Sequence, residues 1–437
     1  MLFNGRIRVA GLLCLLLAPG SWAGAAEALT MAESVTVAQA RDPQLEGSRY
    51  RQEAVVAQAK AAGSLPDPQL SLATSNVPTN TFDLDQEPMT QLAVGLSQRF
   101  PRGDSRTLER RQLRTLSETQ PYLRAERRAQ VALTVRQLWL EAFFAQQSIH
   151  LIRKDYFLFE HLVDAAEAGY ASAIGRSRQQ DVIRAQLELT RLDDRLTGLQ
   201  EQLDTHQRQL AEWVGETLAR RPLAPKLPML DPLVMDQLKG DAQQRLVTHP
   251  AVRAIDQRVA AAATGIELAE QSYYPEWGVN AQYGHRLDGP GGQTRSDLFT
   301  VGVTLDLPLF TGNRQDQKVR AATREKSALK TERALLLRQL QARLHTRQAQ
   351  LQRLDERQAL YRERLLPAMA EQAEASLAAY NSDNGDFAEA VRARIDQLNA
   401  KLEALRISVN RQKALAELAY LLDPSHLTET PAQGDRS

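Results

Sequence analysis

Apolar residues recur along this chain with two different periods. From Val131 through Val135, Leu138, Ile152 and Phe159 to Ala166 they step by four and three, and from Val182 through Leu189, Leu196 and Leu203 to Leu210 and Trp213 they do so again. The same stepping returns from Leu337 through Leu344, Leu351 and Leu354 to Leu365, and from Val391 through Leu398 and Leu405 to Val409. Sustained steps of four and three with polar residues between them predict long helices packed side by side in coiled-coil fashion. Short Gly-containing punctuation at Tyr170–Gly175 and Tyr380–Gly385 turns each pair into an antiparallel hairpin.

Four shorter stretches alternate instead with period two, which predicts strands with one apolar and one polar or small face. Leu70, Leu72 and Thr74 alternate with Gln69, Ser71 and Ala73, and Leu92, Val94, Leu96 and Phe100 with Gln91, Ala93, Gly95, Ser97 and Arg99. Later, Trp277, Val279, Ala281 and Tyr283 alternate with Gly278, Asn280, Gln282 and Gly284. Finally Phe299, Val301, Val303, Leu305 and Leu307 alternate with Thr300, Gly302, Thr304 and Asp306. The strands fall at about 68–77, 90–100, 275–286 and 298–308.

These landmarks repeat in order. Asp42-Pro43 recurs as His249-Pro250, Leu65-Pro66-Asp67-Pro68 loosely as Ser272-Tyr273-Tyr274-Pro275, and the run ending Phe100-Pro101 as the run ending Leu307-Pro308. A repeat this long means two similar half-domains rather than a solenoid of short units. Each copy holds a first helix (about 44–63 and 251–272), two strands and a helical hairpin. The first repeat spans 26–214 with its hairpin over 102–214, and the second spans 251–422 with its hairpin over 311–422. A Pro-rich connector, 215–250, lies between them, and a tail, 423–437, reads as disordered.

Charge and composition narrow the function. The 54 Lys+Arg against 53 Asp+Glu give no electrostatic case for a nucleic-acid partner. Arg6 and Arg8, the apolar run Gly11–Ala18, and the small residues Ser21, Ala23 and Ala25 read as a secretory signal peptide over 1–25, cleaved within Ala23–Ala26. The run is far short of the roughly 20 apolar residues a spanning helix needs. Cys14, the one cysteine, lies inside it, which excludes a disulfide framework, a cysteine nucleophile and a thiolate metal site in the exported chain. No Ser/His/Asp set, phosphate-binding Gly loop or scaffolded carboxylate pair is present, so no enzymatic activity and no cofactor are expected.

Each strand is about as long as a tilted bilayer-crossing strand, roughly 9–11 residues. Four strands leave two open edges, which hydrocarbon does not tolerate, so several chains must contribute to one closed barrel. Two chains would supply eight strands and three would supply twelve; inward Gly95, Ser97, Gly278, Asn280, Gly284, Gly302 and Thr304 suit the wider, water-filled option. The outward, lipid-facing set would be Leu92, Val94, Leu96, Trp277, Val279, Tyr283, Phe299, Val301 and Val303. The plainer alternative is a small β-subdomain beneath a soluble helical bundle.

The chain resembles the TolC family of outer-membrane efflux proteins over nearly the whole exported length. The resemblance rests on the duplicated unit, on Leu29-Thr30-Met31-Ala32-Glu33 before Asp42-Pro43, and on the hairpin tips. Those tips read Ala168-Gly169-Tyr170-Ala171-Ser172 with Asp181-Val182, and Ala379-Tyr380 with Gly385-Asp386-Phe387. It implies a mainly α fold that assembles as a homotrimer, with a twelve-stranded outer-membrane β-barrel continued by a periplasmic α-helical barrel. Its implied partners are outer-membrane lipid, a periplasmic adaptor and an inner-membrane RND pump, and its implied role is a passive exit duct. The stretches Leu65–Leu72 and Pro88–Gly103 look most like the branch paired with heavy-metal exporters. A periplasmic coiled-coil adaptor or scaffold is the competing class.

The resemblance also places an aperture near the second tip. The family's first acidic position falls on Glu389 and its second on Arg392, a departure from the pattern, with Asp383, Asp386 and Tyr380 beside them. Three copies on an axis would make each acid a ring that attracts cations; the bland reading is solvated tip residues and helix caps. Gly169, Tyr170, Ser172, Gly175, Ser382 and Gly385 are the expected adaptor-docking positions. His150 and His161 are eleven residues apart, about 16 Å along a helix, too far for one metal. His206 is expected in a packed seam.

Overall fold

The structure, a computed structural model, describes residues 28–171, 178–229, 242–382 and 385–422. The expected signal peptide, residues 230–241 of the connector and the tail after Leu422 lie outside the described residues, as do Ser172, Gly175 and Asp383.

The duplicated dipeptides prove to be helix starts. Asp42 caps α2 (Pro43–Ala62), its Oδ1 accepting from the Gln44 N–H at 3.0 Å. His249 caps α8 (Pro250–Glu270) in the same way, its Nδ1 accepting from the Ala251 N–H at 3.3 Å. In both, proline takes the first helical position, where a missing N–H is harmless and the fixed φ suits the helix. Ahead of them lies α1 (Met31–Arg41), capped by Thr30, which the period-based reading does not anticipate.

Strands β1 (Gln69–Ser75), β2 (Gln91–Phe100), β3 (Glu276–His285) and β4 (Leu298–Asp306) form one antiparallel sheet in sequence order. Below it, α3 (Ser105–Ser117) gives way to α4 (Thr119–Ala171). The break at Glu118 has a local cause. Pro121 lacks an N–H and its ring would clash with the carbonyl of Ser117, so one continuous helix becomes two. Even so, α4 extends roughly 80 Å. Helix α5 (Gln179–Val214) runs back antiparallel to it and is followed by the short α6 (Glu216–Ala219) and α7 (Ala242–Val247). In the second repeat α9 (Gln315–Leu360) passes through a π-helical turn, Tyr361–Leu365, into α10 (Leu366–Asn381). That wider turn absorbs Pro367, which cannot donate to the carbonyl of Glu363. Helix α11 (Phe387–Leu422) returns.

The elements stack as three tiers, each four members wide. The sheet runs β1–β2–β3–β4, the helices beneath it α2–α3–α8–α9, and the hairpins α5–α4–α11–α10. In every tier the first member belongs to the first repeat and the last to the second.

The core lies where the two repeats meet. Trp139 and Leu140 on α4 and Leu415, Leu418 and Leu421 on α11 are fully buried. Trp139 stacks on Phe143 with ring centres 5.3 Å apart and donates its indole N–H to the Leu29 carbonyl at 3.2 Å. Leu29 in turn bridges to Leu223, so the start of the described chain and the connector are clamped together on α4.

Two consecutive residues of α4, of opposite charge, lie against the caps of α2 and α8. Arg127 Nε lies 2.6 Å from Asp42 Oδ2. Glu126 accepts from Tyr420 Oη at 2.5 Å and Gln130 Nε2 at 2.7 Å, and its Oε2 lies 3.5 Å from His249 Nδ1. Burial pushes the His249 imidazole below its ordinary pKa, which Glu126 opposes only in part, with Arg343 acting in the same direction as burial. Burial, then Glu126, pushes Tyr420 up, so it stays a donor. The folded state therefore binds the His249 proton less readily than the unfolded chain does. The stabilisation is present above the unfolded value, about 6.5, and is lost as pH falls through it towards the lower folded value. Thermal melts from about pH 7 to 5 should show falling stability, with His249→Asn, which still caps but does not titrate, flattening the slope. An unchanged slope in that variant would place the titrating group elsewhere.

Candidate functional site: an amphipathic wall open at both edges

The register brings every predicted outward residue to one face. Leu72 pairs with Val94, Val94 with Tyr283 and Tyr283 with Phe299, while Phe100 pairs with Trp277 and Trp277 with Leu305. All nine expected members of that face are exposed, from 40% at Val279 to 70% at Phe299. An exposed apolar face this continuous is not what a soluble surface carries. Aromatic pairs close it at both ends, Phe100–Trp277 at one and Tyr283–Phe299 at the other. Six residues separate Trp277 from Tyr283, roughly 20 Å of strand. An apolar band between two aromatic rows is the pattern that membrane barrels carry on their outer surface.

The opposite face is small and polar, and Gly95, Ser97, Gly278, Asn280, Gly284, Gly302 and Thr304 all lie on it. Its four glycines, Gly95, Gly278, Gly284 and Gly302, leave room for the polar side chains of neighbouring strands. A Cβ on Gly95 would lie 2.6 Å from Ser71 Oγ, and one on Gly302 2.6 Å from Asn280 Oδ1. Where the sheet meets the helices, Arg102 pairs with Asp306 and donates to the Tyr274 carbonyl at 2.8 Å, fixing the strand-to-helix turn of the first repeat to the end of β4 and the start of β3.

Neither edge of any tier is paired, since the end members do not pack on each other among the described residues. Those end members expose Tyr50 and Val56 on α2, Ile183 and Leu187 on α5, and Leu335 and Leu360 on α9.

At the second tip, Tyr380 packs edge-on against Phe387 with centroids 5.3 Å apart. Gly385 sits so close to the chain that a Cβ would lie 2.8 Å from the Tyr380 backbone N. Ser382 follows the last turn of α10, donating to the Ala378 carbonyl at 2.9 Å. Asp386 Oδ1 accepts from the Ala388 N–H at 3.2 Å, so this acid is a helix cap. Glu389 and Arg392 are exposed on α11, one turn apart, with Ala390, Val391 and Ala393 buried behind them. At the first tip, Gly169 and Tyr170 lie in the last turn of α4 and the Tyr170 side chain is exposed, while Asp181 accepts from the Arg178 N–H at 3.0 Å. Exposed His161 faces Asp164 at 4.0 Å, and half-buried His206 meets Gln209 Oε1 at 3.1 Å at the rim of its seam rather than inside it. No group of three or more His, Cys, Asp or Glu side chains that could hold a metal occurs among the described residues. No described helix is long and apolar enough to cross a membrane.

The pattern reading passes over the Glu126–His249–Tyr420 cluster. Its signal was present in the alignment of His249-Pro250 with Asp42-Pro43, which marks His249 as a capping residue.

The family model described as outer membrane efflux protein matches residues 242–423. The match falls on the second repeat, from α7 to the end of α11. Solved structures extend the likeness of fold to the rest. The channel-forming protein CusC matches with a TM-score of 0.74 at 14% identity over 93% of this chain and 95% of its own. VceC, an outer membrane protein of Vibrio cholerae, matches with 0.71 at 18% over 90% and 94%. The open-state MtrE outer membrane channel of Neisseria gonorrhoeae matches with 0.70 at 16% over 90% and 88%. No curated protein sequence is similar enough to count as a match. The outer membrane efflux protein fold thus spans both repeats, mainly helical with a small four-stranded sheet, and the family is one of transport channels rather than enzymes.

The two faces of the sheet make opposite predictions. Val301→Arg, near the middle of the apolar band, should cost about 2–4 kcal/mol of folding into vesicles, whereas adjacent Thr300→Arg on the small polar face should cost little. Equal costs, read from denaturant titrations in lipid, would contradict the sidedness.

Proposed function

We propose that three copies of this chain close into a twelve-stranded outer-membrane barrel continued by a periplasmic helical tunnel, the passive exit duct of a tripartite efflux system with a periplasmic adaptor and an inner-membrane RND pump. One observation carries the reading: an exposed apolar face on a sheet with two unpaired edges. Each tier presents a first-repeat edge and a second-repeat edge, so copies associate head to tail, and a head-to-tail contact either closes into a ring or grows into a filament. Twelve strands make a lumen wide enough for water and the small polar face suits one, whereas eight would be filled by side chains.

Glu389 and Arg392 are the proposed aperture residues, a mixed ring of acid and base in place of two acidic ones, with Tyr380, Asp386 and Asp383 at the same tip. The tip positions Gly169, Tyr170, Ser172, Gly175, Ser382 and Gly385 are the proposed adaptor contacts. Heavy-metal cations are the proposed cargo. This rests on the likeness of Leu65–Leu72 and Pro88–Gly103 to the metal-exporting branch and agrees with the match to CusC.

One pair of strains and proteins tests duct and aperture together. The wild-type gene should restore a deletion strain's resistance to heavy-metal cations, and the purified protein should conduct in planar bilayers. Glu389→Gln with Asp386→Asn, which removes both charges but keeps the cap, should change conductance and lower cation preference. Absence of conductance would reject the duct, unchanged selectivity the aperture, and rescue against drugs alone the metal cargo.

A further inference from the structure

The two strand-to-helix turns, related by the duplication, end differently. In the first repeat the turn is folded in: Arg102 is held by Asp306 and the Tyr274 carbonyl. In the second the turn is turned out. Leu309 is 73% exposed and Phe310 91%, directly below the outward face of β4 and the Phe100–Trp277 row.

The first turns of α9 then present Arg314, Lys318, Arg320 and Arg324, all exposed. The one acid among residues 307–324 is Asp316, and it is occupied, accepting from Tyr273 Oη at 2.6 Å. None of the four cations forms an ion pair with a described carboxylate. The far end of the sheet differs. There Arg286 donates to the Pro88 carbonyl at 3.2 Å, and Arg295 to those of Asp85 at 3.0 Å and Glu87 at 3.1 Å, so its cations are taken up in tying two loops together.

Moving down the second repeat, the order is therefore apolar band, aromatic row, exposed Leu-Phe, exposed cations. A bilayer presents the matching order of hydrocarbon, interface and phosphate. Its headgroup layer is about 6 Å deep on each side, and Lys318 lies about 6 Å along the helix from Arg314. We infer that Leu309 and Phe310 enter the interfacial layer and that Arg314, Lys318 and Arg320 bind the phosphates of anionic phospholipid in the leaflet on the helical side. The inference rests on the barrel reading. It adds a lipid-binding collar contributed by the second repeat.

Folding of the full exported chain into vesicles of phosphatidylethanolamine, with and without phosphatidylglycerol, tests it. The anionic lipid should raise the inserted fraction and the effect should weaken in high salt. Arg314→Gln with Lys318→Gln and Arg320→Gln should remove the gain, at roughly fivefold per cation, while leaving insertion into the zwitterionic vesicles intact. Arg314→Lys with Arg320→Lys should restore it. A gain that persists in the glutamine variant, or no gain in the wild type, overturns the collar and leaves the barrel standing. Failure to insert into either vesicle sinks the barrel and the collar with it. If the glutamine variant instead loses oligomer in detergent, the cations serve the contact between copies and the collar is overturned.

Discussion

An unpaired N–H or C=O costs several kcal/mol in hydrocarbon, and this sheet carries such groups along the free edges of β1 and β4 while displaying an apolar face to its surroundings. The two facts are individually ordinary. Together they leave few options, because the face calls for lipid and the edges forbid it. Only closure with further strands satisfies both, and the described residues of each chain hold none beyond these four. Oligomerisation is thus a condition for the sheet to occupy a membrane at all.

The duplication makes such closure geometrically simple. Because each tier begins with a first-repeat element and ends with a second-repeat one, a single head-to-tail contact serves sheet, upper helices and hairpins at once. The register of the tiers within a chain depends on the junction of repeats. There Arg127 pairs with the Asp42 cap of α2, and its neighbour Glu126 accepts from Tyr420 of α11 beside the His249 cap of α8. Lower down, Arg406 and Lys413 of α11 both reach Glu141 of α4, Arg406 at 2.8 Å. Burial works against the Glu141 charge, but these two cations more than offset it and hold the carboxyl below its usual range. Charged bridges between the repeats therefore sit where one repeat could slide on the other.

Most of the architecture was legible because it rests on periodicity. The alternation of Leu92, Val94 and Leu96 with Ala93, Gly95 and Ser97 is a statement about faces, and pairing can only preserve it. The breaks were less legible. The stop at Glu118 and the π turn before Pro367 depend on how a helix accommodates one proline, by ending or by widening, and the apolar spacing alone does not decide between them. The tip was least legible: Asp386 reads equally as an aperture acid or a cap, and only the 3.2 Å bond from Ala388 N–H assigns it. His249 was legible only as the counterpart of Asp42, because the partners that surround its imidazole, Glu126 and Tyr420, are distant in sequence.

The central claim, that the free edges of the sheet are completed by other copies, is open to a direct measurement. With Cys14 the only native cysteine, single cysteines at Leu72 in β1 and, in turn, at Phe299, Val301 or Val303 in β4 can be oxidised in the membrane and run denatured without reductant. At least one pairing should yield a ladder of covalent species that stops at three. A chain that stays monomeric in every pairing, or a ladder that continues past three, would contradict the closed twelve-stranded wall.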